Sequence, residues 1–175
     1  MNRLVRVAGD SMAPTYRSSD LLLTRPVGRA GVRARRGDVV VFRHGELRMI
    51  KRVVGLPGDL VELEAGRLFV NGESVDGHRR VPGAYTQTWR VPGASYFMAG
   101  DNPAVSDDSR VWDEPFVPVE SVEAVVTRRL VGPRRPRGFR PRRPVAAAGR
   151  VARSKPTVPR RSRSDPAWRG SSETG

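Results

Sequence analysis

The chain has 175 residues, of which 32 are Lys or Arg and 18 are Asp or Glu, and it contains no cysteine. This length holds one ordinary domain with a moderate core plus extras, and the missing cysteines exclude a disulfide framework, a thiol nucleophile and a thiolate metal site. No run of about 18 apolar residues occurs, and the opening Met1-Asn2-Arg3-Leu4-Val5-Arg6-Val7 is too short and too charged for a secretory signal, so the sequence as written is expected neither to span a membrane nor to announce export.

The basic surplus is uneven. Residues 1–132 carry 19 basic and 16 acidic side chains, whereas residues 133–175 carry 13 and 2. Two parts are therefore expected: a folded domain over 1–132 and a disordered Arg/Pro-rich tail over 133–175, where too little apolar surface remains to offset chain entropy. Fifteen prolines and eighteen glycines in short clusters, with β-branched runs between them, predict a mostly β domain with many turns.

In chain order, residues 1–8 read as a short strand entering the polar turn Gly9-Asp10-Ser11-Met12-Ala13-Pro14-Thr15. Pro14 pushes Ala13 out of helical geometry, which places Ser11 and Met12 at a bend or the start of a brief helical turn. Leu21-Leu22-Leu23 reads as a buried strand, and 25–37 as an exposed Arg/Gly-rich connection. Gly37-Asp38 turns into Val39-Val40-Val41-Phe42, a strand too apolar to have a wet face. His44-Gly45-Glu46 then connects to a strand through Arg48-Met49-Ile50-Lys51-Arg52-Val53-Val54 that ends at Gly55-Leu56-Pro57-Gly58-Asp59. A hairpin follows, Leu60–Leu63 and Arg67–Val70 with turns at Ala65-Gly66 and Asn71-Gly72. Residues 76–93 give no assignable pattern. Tyr96–Ala99 is a short strand leading to the polar loop Gly100-Asp101-Asn102-Pro103-Ala104-Val105-Ser106-Asp107-Asp108-Ser109-Arg110. Val117–Leu130 is expected to be the final strand.

Lys51 stands out because the chain holds only two lysines, Lys51 and Lys155, and the second lies in the tail. Arginine keeps its proton near neutral pH, whereas a desolvated lysine can lose it. On a strand Lys51 shares a face with Met49 and Val53 while Arg52 points the other way. That environment suits a general base. Taken alone, it equally suits a strand-edge lysine whose ammonium reaches water.

Three segments together decide the matter: Gly-Asp-Ser-Met-Ala-Pro-Thr around Ser11, Lys-Arg-Val-Val-Gly-Leu-Pro-Gly-Asp from Lys51, and the loop from Gly100 to Arg110. In order and spacing, from about Val7 to Leu130, they resemble the type I signal peptidase family (peptidase family S26), serine endopeptidases with a Ser-Lys dyad. Gly37–Phe42 also resembles that family's strand between serine and lysine. The resemblance implies a signal-peptidase/LexA-like β-fold built from coiled antiparallel sheets. It further implies removal of signal peptides from exported proteins by cleavage after small residues, with signal-peptide-bearing preproteins as partners and no cofactor.

By the same resemblance Ser11 is the nucleophile and Lys51 the general base, a known variant of the activated serine. Ser106 is expected to orient the lysine amine by a hydrogen bond, and Asp108 and Arg110 to brace the site as a salt bridge. The Ser11 N–H is expected to serve the oxyanion. Gly9 stands where some members carry an additional serine hydroxyl donor, and Met12 is expected to help line a shallow pocket for alanine-sized side chains. Asp101, Asp107 and Asp108 do not follow a calcium-loop pattern, so no metal is expected. His44 and His78 lie in polar turn-like contexts and are read as surface residues.

Family members usually carry a transmembrane helix just before the serine motif, and here ten residues precede Ser11. If an upstream anchor is missing from this sequence, the expected location is the cell membrane with the domain on its extracytoplasmic face; otherwise it is the cytoplasm. The arginine tail is a weak alternative tether to anionic membrane, at about 1 kcal/mol per basic residue near the surface. A basic segment also suffices for non-specific RNA or DNA binding, yet nucleic acid is not the expected partner, and a monomer is expected. The competing functions are a dedicated soluble maturation protease acting on one partner, and a degenerate non-enzymatic fold with a basic binding tail. A self-cleaving repressor shares the β-fold and dyad but needs a DNA-binding domain and a cleavable segment ahead of the serine.

Overall fold

The computed structural model describes residues 1–27 and 33–131. The expected tail over 133–175 and part of the 25–37 connection lie outside the described residues. Among the described residues all strand pairings are antiparallel and form two sheets. The larger has seven strands: β1 (Arg3–Arg6), β2 (Leu21–Pro26), β3 (Val39–His44), β4 (Leu47–Gly55), β9 (Ser95–Ala99), β10 (Phe116–Pro118) and β11 (Val122–Val131), in the order β1-β2-β11-β3-β4-β9-β10. The smaller contains β5 (Leu60–Glu64), β6 (Arg67–Val70), β7 (Glu73–Ser74) and β8 (Thr86–Arg90), in the order β7-β6-β5-β8. The mostly β architecture expected from the turn-punctuated sequence, and the antiparallel sheets that the resemblance implies, are both observed.

The period-two alternation of a strand explains how one sheet serves two cores. Val53 on β4, Tyr96 and Met98 on β9, and Val40 and Phe42 on β3 belong to one buried cluster. Val54, Phe97 and Ala99, their sequence neighbours, join Val61, Leu68 and Val70 of the smaller sheet in a second. Gly55 lies where these layers meet. A Cβ there would sit 2.7 Å from Val61 and 2.9 Å from both Phe97 and Val91, so only glycine lets the strand pass so close.

The turn from β4 into β5 is fastened by one carboxylate. Asp59 accepts the Leu56 N–H at 2.6 Å, the Arg36 Nη2 at 2.8 Å and the Asn71 Nδ2 at 2.8 Å, which ties the Pro57-Gly58 bend to both sheets. Two readings of the sequence need correction. The unassigned 76–93 segment contains β8, an edge strand with polar outward positions and Trp89 facing the core. The single strand expected over 117–130 is instead β10, a 3-10 turn (Val119–Ser121) and β11, because Pro118 cannot continue the ladder as a donor.

Candidate active site

The serine sits in the connection between β1 and β2. Val7 N–H donates to Asp20 O and Ser19 N–H to Val7 O, closing the base of this loop at 2.9 and 3.0 Å. Asp20, fully buried, accepts the Arg17 N–H and pairs with Arg129 of β11, which anchors the loop to the sheet. Within the loop, Ala13 N–H donates to Asp10 O and Tyr16 N–H to Met12 O, so a brief helical turn follows Ser11 and projects its hydroxyl from a bend. Gly9 has φ +78 with open space where a side chain would stand, so the backbone conformation, not crowding, favours glycine there. Met12 is fully buried beneath this turn, which puts it under the surface rather than on an open pocket wall.

The lysine comes from β4. Its neighbours Val40 on β3 and Val53 on β4 are core residues, and Lys51 itself is 3 % exposed. Its Nζ lies 2.9 Å from Ser11 Oγ, bringing together two residues forty positions apart. Burial lowers the amine's pKa from its ordinary value; Asp108 and Asp107 oppose that fall and Arg110 adds to it. Arg52, on the opposite face, forms a bidentate pair with Asp101 and donates to Gly37 O at 2.6 Å.

The third part is the loop after β9. Asn102 N–H donates to Ser11 O at 3.0 Å and its Nδ2 to Asp10 O at 3.2 Å, so the loop grips the serine turn by its backbone. Gly100 makes this approach possible. A Cβ on it would stand 2.1 Å from Ser106 Oγ and 2.5 Å from Ser11 O. Asp108, with no solvent exposure, accepts the Gly100 N–H, the Ser106 hydroxyl, the Arg110 N–H and two guanidinium N–H groups of Arg110. Burial alone would raise its pKa, yet Arg110 and the other donors outweigh that and hold it below the ordinary carboxylate value.

The salt bridge expected between Asp108 and Arg110 is present in this geometry. The hydrogen bond expected from Ser106 to the lysine amine is not. Ser106 gives its hydroxyl proton to the buried Asp108 carboxylate, and the Lys51 amine is directed to Ser11 Oγ instead of to Ser106. His44, read from the sequence as a surface residue, is half-buried and stacked on Trp112 with ring centroids 3.9 Å apart. His78 is a turn residue whose Nδ1 lies 3.0 Å from Asp76. Gly100, Asn102 and the Arg52–Asp101 pair were not singled out from sequence, although the polar loop that contains three of them was. Among the described residues no group of three or more His, Asp or Glu is placed to hold a metal ion, and no helix is long and apolar enough to cross a membrane.

Comparison with known proteins adds a second line to the geometry. A family model described as "Signal peptidase, peptidase S26" matches residues 2–131. The chain is similar to a signal peptidase I of Pseudomonas fluorescens, 32% identical, over 73% of this chain and 61% of that protein. It is also similar to signal peptidase I S of Bacillus subtilis, 32% identical, over 59% of this chain and 64% of that protein. The chain thus spans less than two thirds of the length of these relatives. A solved signal peptidase I from Enterococcus faecalis is 34% identical, with 54% of this chain and 97% of that chain covered and a TM-score of 0.42.

Proposed function

This chain belongs to the signal peptidase family, peptidase S26, and from that premise we propose that it is a serine endopeptidase that removes signal peptides from preproteins with Ser11 and Lys51 as its reacting groups. The observation that carries the proposal is the 2.9 Å contact between Ser11 Oγ and a lysine amine buried among valines. A serine hydroxyl is a weak nucleophile until a neighbour takes its proton, and a desolvated amine is able to do so at a pH where an exposed one is still charged.

In this mechanism the neutral Lys51 Nζ accepts the Ser11 hydroxyl proton as Oγ bonds to the scissile carbonyl carbon. The resulting ammonium gives its proton to the departing amine, and the C–N bond breaks to leave an acyl-serine. Lys51, neutral again, takes a proton from water, whose oxygen attacks the ester carbonyl; the acid product leaves and the serine regains its proton. The Ser11 N–H, which makes no hydrogen bond among the described residues, is the donor to the oxyanion. Because position 9 is glycine, no side-chain hydroxyl supplements it there. Asp108 and Arg110 hold the loop that grips the serine turn and do not exchange protons with substrate.

The test is cleavage of a preprotein, or of a peptide with alanines three and one residues before the scissile bond. Wild-type chain is expected to cleave after the second alanine. Ser11→Ala and Lys51→Arg are each expected to lose about a thousandfold or more in kcat/KM, since arginine keeps the charge but cannot accept the proton. Wild-type activity retained in Lys51→Arg overturns the assignment.

A further inference from the structure

In the proposed mechanism the oxyanion meets a backbone amide, that of Ser11, and the glycine at position 9 adds no hydroxyl beside it, so the aim of one peptide plane matters. That plane joins Asp10 to Ser11. It is trans, with its C=O and N–H on opposite edges of one rigid unit, so whatever holds the Asp10 carbonyl also aims the Ser11 N–H. Two donors reach this carbonyl. The Ala13 N–H comes from within the serine turn at 3.0 Å, and Asn102 Nδ2 comes from the loop after β9 at 3.2 Å. The next carbonyl, that of Ser11, accepts the Asn102 main-chain N–H at 3.0 Å. One residue thus holds the peptide units on both sides of the nucleophile. It comes this close because Gly100 carries no Cβ, which would stand 2.5 Å from Ser11 O. The Ser11 N–H is left without an acceptor among the described residues.

We propose that Asn102 is a positioning residue for the oxyanion donor: its side-chain amide holds and polarises the Asp10–Ser11 peptide, so that the Ser11 N–H is aimed at the developing oxyanion. The proposal rests on the peptidase reading for its functional meaning, while the fixing of the peptide plane belongs to the structure alone. Asn102 touches no reacting atom. Its effect runs as a relay of dipoles, from the Asn102 side-chain N–H to Asp10 O and through the amide to the Ser11 N–H. Negative charge growing on the substrate oxygen polarises that amide and makes Asp10 O a stronger acceptor, which tightens the bond from Asn102. A bond that is stronger in the transition state than with substrate merely bound raises kcat and leaves KM alone. The side chain must be a donor for this. An aspartate of the same shape would set an acceptor against the Asp10 carbonyl. Because the contact is open to water, water can take over much of its contribution to folding when it is removed, and little stability is expected to be lost.

The test compares Asn102→Ala with the shape-conserving Asn102→Asp in the full chain; both keep the main-chain N–H for Ser11 O. With the alanine peptide, kcat is expected to fall about tenfold in Asn102→Ala, less than the roughly hundredfold or more lost with an oxyanion donor itself. The loss in Asn102→Asp is expected to be larger. In Asn102→Ala, KM is expected to stay within about twofold of wild type and the pH profile to keep its position, because the lysine is untouched. The Ser11 amide gives a reading that needs no activity. In chain labelled with nitrogen-15, its proton resonance is expected to move upfield in Asn102→Ala, as a less polarised N–H does, while the melting midpoint stays close to that of wild type. Unchanged kcat in both variants, a loss that falls on KM, or an unmoved Ser11 amide proton overturns the proposal. So does unfolding of both variants, which would assign Asn102 to the fold and not to the donor. Chains whose Ser11 amides differ as expected but whose wild type cleaves no substrate overturn the peptidase reading and leave the peptide-plane assignment intact.

Discussion

Two buried charged groups face each other across this site and are treated in opposite ways. The Asp108 carboxylate is surrounded by donors: a backbone amide, a serine hydroxyl and three N–H groups of Arg110. The Lys51 amine, on an apolar strand face, has the Ser11 hydroxyl. Saturation makes the loop a fixed brace, because every lone pair that burial strips of water is replaced. Burial with few partners loosens the amine's hold on its proton. Rigidity and reactivity are thus assigned to different elements, the loop after β9 and the middle of β4.

The sharpest way to break this contrast is Lys51→Met. Cleavage is expected to fall by about a thousandfold or more, yet the melting midpoint is expected to hold or rise, because a desolvated cation is exchanged for an apolar side chain of similar length. The sign follows from linkage. With its folded pKa below its unfolded one, Lys51 weakens folding at low pH, and stability recovers as pH rises from the folded value towards about 10.4. Lys51→Met is expected to flatten the stability profile in that window, which denaturation at several pH values will check.

Asp108→Ala works in the other direction. It leaves the mostly buried Arg110 guanidinium without its partner and is expected to cost about 3–5 kcal/mol by urea denaturation, with cleavage lost as a consequence. In wild type the stabilisation from Asp108 is fully present above about pH 3.9, its unfolded value, and disappears as pH falls through the lower folded one. Acid denaturation of the domain should therefore steepen at the bottom of the carboxylate range, and Asp108→Asn should remove that steepening.

Gly100→Ala probes the seam between brace and serine turn. The added methyl overlaps Ser106 Oγ and the Ser11 carbonyl. The expected outcome is about 1–3 kcal/mol of destabilisation and a larger proportional loss in kcat than in KM, since it is the dyad that is displaced. The smallest effect is expected in the other sheet. Arg80 there bridges Glu62 and Glu64 over the Phe69 ring, and Arg80→Ala should lower the melting midpoint slightly and leave kcat/KM unchanged. A large activity loss in that variant would break the separation of brace, base and outlying sheet.

Local chemistry explains how much of this was legible in the sequence. The β4 strand, the apolar β3 and the hairpin at Ala65-Gly66 were visible because alternation and turn glycines are written over a few residues. The meeting of Ser11 and Lys51 was legible only through a resemblance, since nothing local ties residues forty apart. β8 was missed because Thr86-Gln87-Thr88-Trp89-Arg90 lies at a sheet edge and buries little. The Ser106 bond was misread because the motif fixes which groups are near one another but not how their donors and acceptors pair. The His44–Trp112 stack involves a hairpin tip and a loop 68 positions later, and neither residue advertises the other.

The parity of β4 works as a reading frame for the chemistry. Lys51 and Arg52 occupy opposite faces, one meeting the serine and the other Asp101. Loss of a single residue between the tip at Gly45-Glu46 and Lys51 would set Arg52 at the position that faces Ser11, a guanidinium that keeps its proton at any physiological pH, and gain of one would set Ile50 there, with no proton acceptor at all. Length changes by one in this hairpin should therefore silence the protein as completely as replacing the lysine. Changes by two restore the face but slide the lysine about 7 Å along the strand, so the tip can vary in length with the dyad intact only where the extra residues are looped out at the tip itself.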